Sequence, residues 1–486
     1  VAASFSAPVT VGSTTLTPVG AVNTYVAKYN AAGTLQWLQQ LTGNVSFEQL
    51  KLDALGNLIL MTRYVQAAHL GSLAVSTPAQ SGHLLARLDA QGAPLSLWPI
   101  GEAILSSSPS GAITLTNINN DAAGNVYFHG TFRGQVLIGT TTLNGSLTTG
   151  LDQFIGKVNL QGSLEWVRQG GSMSGTAGYD VQNARTAVAP GGDLYFIWAA
   201  APNVGNFGTV VAPTGVSDNS ILVVKYNPQG TVLWAKRFSS FAGSVLAGEG
   251  VVLSSGQLAL VGDFANDITL GTQRFTPGHR CGVVFLLDPA TGSVLMATIL
   301  DGNLEKGYGL TADGSNNLYV VGGAYPGSTG VYAASCTVAG ITRWVKRTTS
   351  VTGSNSFGAG YGAALAGNDL MVSGNILNGS ALQFGPDVIT GAADFRARLG
   401  GVVTATRPAA VAALALFPNP AATGTTVTLP AFPAGTELTL TDALGRVARR
   451  QSAGPGLALT GLAPGLYVVQ ATSAAGERWS SRLVVE

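Results

Sequence analysis

Charge is what this chain has least of: 10% of its 486 residues carry one, with Lys+Arg at 25 and Asp+Glu at 24. No segment concentrates Lys and Arg, which excludes a protein held to nucleic acid by a basic face. Cysteine is nearly absent. Cys281 and Cys336 make neither a disulfide framework nor a metal spacing, and they would bridge only if their strands happened to face. Helical periodicity is missing, since no window holds apolar residues at i, i+3, i+4 and i+7 for long. Mean hydropathy is +0.30, yet no stretch approaches the ~18 to 20 apolar residues of a membrane-spanning helix. The longest, Ala409 to Phe417, runs into Pro418-Asn419-Pro420 and reads as a linker into a strand. The chain opens at Val1 with no charged or apolar leader region, so a secretion signal is expected to have been removed or omitted.

What abounds is glycine, 65 residues of it. With Ser, Thr, Asn and Gln in place of charge, this is the balance of a turn-rich all-β protein. The length exceeds one hydrophobic core, so several domains or a repeat array is expected. Self-comparison finds the repeat, at intervals of roughly 50 to 70 residues. One signature runs Asp53-Ala-Leu-Gly-Asn-Leu-Ile-Leu, then Asp121-Ala-Ala-Gly-Asn-Val-Tyr-Phe-His-Gly and Pro190-Gly-Gly-Asp-Leu-Tyr-Phe, decaying through Ser255, Gly314 and Gly367. Its Gly-Asn pair is expected to supply the positive φ of a hairpin turn and to open each unit. A second signature carries a Trp: Tyr25-Val-Ala-Lys-Tyr-Asn-Ala-Ala-Gly-Thr-Leu-Gln-Trp37, with copies ending at Trp166, Trp234 and, more weakly, Trp344. A short segment such as Gln135 to Leu143 lies between the two, so four strands per repeat are expected.

These strings resemble the SBBP type of β-propeller repeat over about residues 4 to 400. The resemblance implies a propeller of seven blades, with six as the alternative. The first unit lacks an opening strand and the last a closing one, so joined ends would close the ring by shared strands.

Beyond a linker at 401–411 the blade signatures stop, and residues 412–486 show short strands between turns, the spacing of a small immunoglobulin-like β-sandwich. Leu416-Phe-Pro-Asn-Pro420, Leu440-Thr-Asp-Ala-Leu-Gly-Arg-Val447, Leu462-Ala-Pro-Gly-Leu-Tyr-Val468 and the terminal Leu483-Val-Val resemble the C-terminal sorting domain of type IX secretion cargo. The family often has Lys where this chain has Arg482. Its motif residues here are Pro418, Asn419, Pro420, Gly445, Arg446, Pro464, Gly465, Tyr467 and Arg482. The resemblance implies a Bacteroidota-type cell, passage through the periplasm and the outer-membrane type IX translocon, and an extracellular or cell-surface destination. Physically, Pro418 and Pro420 stiffen the entry, and Gly445 and Gly465 are expected to allow hairpin turns.

No catalytic constellation stands out. His69, His83, His129 and His279 are scattered without metal spacing. Asp53 and Asp121 sit in turns too poor in carboxylates for calcium. Glu249, Asp263, Asp267 and Asp301 offer carboxylates, but nothing in the sequence brings two to glycosidase distance. No cofactor and no metal are expected. The candidate ligand contacts are Trp37, Trp166, Trp234 and His129, with residues recurring once per blade read first as packing. The expected function is an exported module binding a surface glycan or another protein. Two alternatives stand beside it: a carbohydrate-active enzyme working in the propeller channel, or a structural adhesin or spacer.

Overall fold

The computed structural model describes residues 1–30, 32–77, 81–103, 113–145, 151–172, 184–200, 206–207, 210–211, 220–239, 245–265, 267–300, 306–323, 330–350, 358–376, 381–384, 387–390, 393–401, 412–414, 416–433, 435–442, 447–472 and 478–486. These residues form strands and turns only, without a helix, and none of the structure is a helix long and apolar enough to cross a membrane. The all-β expectation holds. Two compact units separate, Val1–Val403 and Thr404–Glu486.

The first unit is a succession of antiparallel sheets of one design. In the third sheet, Ile113–Asn120, Val126–Phe132, Asp152–Val158 and Leu164–Ser172 lie in that order. The same order recurs in Arg185–Val188, Leu194–Ala200, Ser220–Tyr226, Val232–Ser239 and in Val245–Val252, Leu258–Phe264, Cys281–Leu287, Val294–Ile299. Second and third strands are buried at every residue in the third and fifth sheets, as continuous apolar runs require when both faces are covered.

Each four-stranded sheet begins one strand earlier than the Asp-x-x-Gly-Asn signature. That signature makes the turn into the second strand, and a leading strand precedes it. The short segment between signatures is not a sheet strand either. It folds as a hairpin of its own, and in two cases pairs with the outer strand of the preceding sheet: Leu70 with Leu41 and Leu137 with Glu102. The count of four was legible; their identity was not.

The turns work through the aspartate rather than through both Gly and Asn. Asp53 Oδ1 accepts from the Leu55 and Asn57 amides, and Asn57 Nδ2 donates to its Oδ2 at 2.9 Å. Asp121 and Asp313 repeat this arrangement with Asn125 and Asn317. Glycine alone takes positive φ in the first two turns, and Asn316 (φ 62°) takes it in the Asp313 turn. Burial works against the Asp53 charge, but the bonds from Asn57, Arg87 and Leu55 outweigh it and hold the carboxyl below its ordinary value.

The first and last repeats supply three repeat strands each, Ala2–Phe5, Asn23–Tyr29, Leu35–Thr42, and Gly358–Ala366, Asp369–Ile376, Ala393–Leu399, and each set is continued by pairing to a neighbouring element. Among the described residues no strand is shared between them, so the expected shared-strand closure is not what the pairing shows. Arg396 nevertheless lies near enough to the Val1 ammonium to act on it, after burial, in lowering its pKa.

In the second unit, Ala412–Ala413, Arg478–Val485, Gly465–Thr472, Glu437–Asp442 and Val447–Ser452 form one sheet, and Thr426–Thr428 with Gly456–Ala458 a second. Leu414, Val427, Leu438, Leu440, Leu457, Val469 and Leu483 fill its core.

Candidate functional site

The leading strands share an irregularity that the sequence hides. Five of them bulge at the same level: between Phe47 and Gln49, Leu115 and Asn117, Ala247 and Gly250, Gly307 and Gly309, and Gly360 and Gly362. A bulge re-aims the extra side chain, and the residues so displaced are Glu48, Thr116, Glu249 with Gly248, Tyr308 and Tyr361. Three of the bulges go with a close backbone approach. A Cβ on Gly322 would lie 1.8 Å from the Lys306 carbonyl oxygen, and Gly130 and Gly374 face leading-strand carbonyls at 2.2 and 2.0 Å. The glycine ending the first signature in His129-Gly130 and Ser373-Gly374 was the available signal.

The displaced groups meet neighbours. Glu48 Oε2 lies 3.1 Å from His83 Nδ1. Thr116 Oγ1 lies 2.7 Å from His129 Nε2, and the Tyr308 and Tyr361 rings are 5.0 Å apart. Just beyond the bulges, polar side chains tie one leading strand to the next. Gln49 Oε1 accepts from the Ile118 amide at 2.6 Å, Asn119 Nδ2 donates to the Thr186 carbonyl at 2.5 Å, and Glu249 Oε2 accepts from the Leu310 amide at 3.5 Å. These bonds satisfy backbone groups that an edge strand otherwise leaves open.

Charge converges there as well. Burial pushes the Glu249 carboxyl up, and Lys51 and Arg185, from two other leading strands, oppose that shift. Lys51, Arg185 and Glu249 therefore share one electrostatic neighbourhood although they are far apart in sequence. Arg185 also reaches His129, whose pKa is driven down to about 3, first by complete burial and then by that guanidinium. His129 is thus neutral at physiological pH. Its Nδ1 has no hydrogen-bond partner, and its ring lies 5.0 Å from Phe196.

The other candidates lie elsewhere. Trp166 and Trp234 are buried and Trp37 partly so, each under the turn of the following sheet. Trp166 donates to the Pro228 carbonyl at 2.9 Å, and Gly230 (φ 74°) passes so close that a Cβ would lie 2.5 Å from the indole. Lys28 and Trp37 both donate to the Ala90 carbonyl, and Lys225 and Trp234 both donate to Pro289. The recurring Lys-Tyr-Asn and Trp thus work together as a clamp between sheets. His69 and His279 are exposed.

Asp263 is buried against Arg280 (2.5 Å), with its carboxyl pushed up to about 6 by desolvation that the ion pair only partly offsets. Asp267 pairs with Arg274 at 2.8 Å. Asp301 lies outside the described residues. Cys281 and Cys336 are buried and are not joined by a disulfide. Among the described residues no group of three metal-binding side chains comes together.

In the second unit, Asn419 behaves as an added strand residue: its Nδ2 donates to the Arg482 carbonyl at 2.6 Å and its Oδ1 accepts from the Val484 amide at 2.9 Å. Pro418 and Pro420 flank it on the surface. Tyr467 is buried, its hydroxyl donating to the Ala463 carbonyl at 2.9 Å just before the exposed Pro464. Gly465 is not in a hairpin turn; it starts a strand, opposite Val485. Gly445 and Arg446 lie outside the described residues.

No family model matches the chain, and no curated protein does. Solved structures similar to it include a protein of unknown function from Bacteroides caccae (12% identity, 63% of this chain and 91% of that one, TM-score 0.27). A polysaccharide lyase of the ulvan lyase family PL25 is similar at 9% identity, 78% and 90% coverage and TM-score 0.39. An extracellular domain from B. thetaiotaomicron is similar at 10% identity, 96% and 80% coverage and TM-score 0.26.

Proposed function

We propose that this chain is an exported binding module: a seven-bladed β-propeller that holds its ligand at the bulged ends of the leading strands, followed by an immunoglobulin-like sandwich acting as a type IX sorting domain. The observation that carries the binding reading is the bulge repeated at one level of five leading strands, which displaces Glu48, Thr116, Glu249, Tyr308 and Tyr361, with the two tyrosine rings 5.0 Å apart. Tyrosine rings offer faces for stacking on a sugar, and the carboxylates, amides and hydroxyl offer directional hydrogen bonds, which favours a surface glycan as ligand. The first and last repeats contribute three repeat strands each, and with Arg396 near Val1 this supports a ring of seven. No catalytic residue, cofactor or metal belongs to this reading.

The test is a glycan and surface-polysaccharide array probed with the full chain and with Tyr361→Ala. Binding that falls at least about tenfold in the variant supports the site. Equal binding by both, or sugar cleavage in place of binding, overturns it. For export, removing residues 405–486 is expected to trap the propeller in the cell envelope, and normal release of the truncated chain would sink the sorting assignment.

A further inference from the structure

The bulges of the last two leading strands bring two phenols together. Lys306–Ala312 and Gly358–Ala366 carry Gly307-Tyr308-Gly309 and Gly360-Tyr361-Gly362 at the bulge. The strands pass so closely there that a Cβ on Gly309 would lie 2.9 Å from the Tyr361 carbonyl oxygen and 3.1 Å from the Ala363 nitrogen. One strand, Leu318–Gly323, tethers both, with Val321 opposite Gly309 and Gly323 opposite Ala359. The two rings lie 5.0 Å apart between centroids, tilted by 50°. The flanking glycines add no side chain that would crowd them, so rotation about χ1 and χ2 can turn the ring edges toward each other.

Other tyrosines keep different company. Tyr25 meets Phe5, Tyr127 and Tyr226 meet Trp166, Tyr195 meets Trp234, and Tyr319 meets Trp344. Tyr127, Tyr319 and Tyr332 are also buried, and their hydroxyls donate to the Gly192 carbonyl, the Asp313 carboxylate and the Lys306 carbonyl. Tyr361, in contrast, is 47% exposed and open to an oxidant that draws one electron from a phenol at the surface. Half-buried Tyr308 is the phenol its radical would meet. At the same position the sibling strands present Glu48, Thr116 and Glu249, none of which can couple in this way.

We propose that Tyr308 and Tyr361 form an oxidative modification site, where a peroxide-driven one-electron oxidant of the haem-peroxidase class joins them as dityrosine. Each phenol gives one electron to the oxidant and its hydroxyl proton to water. The two phenoxyl radicals then pair through the ring carbons ortho to their oxygens, forming one C–C bond. Each of those carbons releases its hydrogen as a proton while the oxygen takes one up, which restores both phenols. The net loss is two electrons and two protons, and one hydrogen peroxide accepts them to leave two waters. The new bond ties Lys306–Ala312 to Gly358–Ala366 across adjacent repeats. It needs no ligand, so it stands or falls separately from the glycan reading above.

The experiment treats the full chain at micromolar concentration with hydrogen peroxide and a haem peroxidase, beside free tyrosine as the control for the oxidant. At that dilution a phenol held in place outcompetes one on a second chain. Dityrosine fluorescence is expected in the monomer. Trypsin is expected to release residues 307–343 joined to 348–396, two hydrogens lighter than the separate peptides, with fragmentation placing the bond between Tyr308 and Tyr361. Tyr361→Phe keeps the ring and removes the hydroxyl. It is expected to keep its circular dichroism and lower the monomer fluorescence at least about fivefold. Tyr29→Phe, at an exposed tyrosine of another sheet, is expected to leave that fluorescence in place. Three results overturn the proposal: no dityrosine in the chain while free tyrosine is converted, undiminished monomer fluorescence in Tyr361→Phe, or a bond found only between chains.

Discussion

At the outer edge of the repeated sheets one device recurs almost unchanged: Lys28 with Trp37 on Ala90, Lys225 with Trp234 on Pro289, Trp166 on Pro228. At the inner edge the bulge recurs, and in three of the five sheets the displaced residue lies between two glycines. The residue it displaces is Glu48, Thr116, Glu249, Tyr308 or Tyr361 according to the sheet. Sites under the same packing constraint keep the same residue, and sites relieved of it are free to differ. The difference separates what holds the sheets together from the edge that the proposed ligand reading uses.

The largest effect that would sharpen this contrast is Trp166→Ala. Trp166 is 6% exposed, stacks on Tyr226 at 6.3 Å and spends its N–H on the next sheet. Its removal is expected to cost about 3 to 5 kcal/mol in urea unfolding. Tyr361→Ala, at a side chain 47% exposed, is expected to stay within about 0.5 kcal/mol. Comparable losses at both would erase the contrast. A smaller effect tests the bulge itself. Gly322→Ala drives a methyl toward the Lys306 carbonyl at 1.8 Å, and straightening or shifting that strand is expected to cost about 1 to 3 kcal/mol.

Legibility followed the same division. The Asp53 and Asp121 turns and the Trp-bearing strands could be read because the residues that build them recur with the period. Of the second unit, the strands Thr426–Thr428, Glu437–Asp442, Gly456–Ala458 and Gly465–Thr472 all fall where alternation and turn residues placed strands. The leading strands could not be read. Gly248-Glu249-Gly250, Gly307-Tyr308-Gly309 and Gly360-Tyr361-Gly362 do carry a common Gly-x-Gly at the bulge, but Val45–Leu52 and Ile113–Asn120 lack it, and the bulges break the alternation that marks a strand. Lys51, Arg185 and Glu249 were invisible as a group for a related reason: ring-like convergence joins residues that no local spacing connects. His129, expected as a candidate ligand contact, is buried and neutral beside Thr116.

The buried carboxylates divide in sign between turn and interior, and pH separates them. Asp53 and Asp313 titrate in the fold below their ordinary value of 3.8, because hydrogen bonds outweigh burial. Their stabilisation is complete above that value and is lost as pH falls through the lower folded one. Asp263 runs the other way. With a folded pKa of about 6 against an ordinary 3.8, its contribution is complete below the ordinary value and is lost as pH rises through the folded one. Unfolding free energy is therefore expected to rise by about 1 to 3 kcal/mol from pH 7 to pH 5, then to fall below pH ~4. In Asp263→Asn the rise should shrink to what Glu249, also pushed up by burial, contributes, and the acid fall should remain; an undiminished rise would assign it to another group.

The smallest effect is the sharpest test of the inner edge. Glu249 does for the Leu310 amide what Gln49 does for Ile118, so Glu249→Gln keeps the acceptor and removes only the charge. Losing a desolvated carboxylate stabilises, while leaving Lys51 and Arg185 without their counter-charge destabilises. The two are expected to cancel within about 1 kcal/mol in urea unfolding. Ligand binding should respond where stability does not, because the variant removes the one anion from a cluster already net cationic and makes the affinity for acidic sugars more dependent on salt. A stability loss above about 2 kcal/mol with unchanged binding would make Glu249 another clamp, and inner and outer edges would then follow one rule.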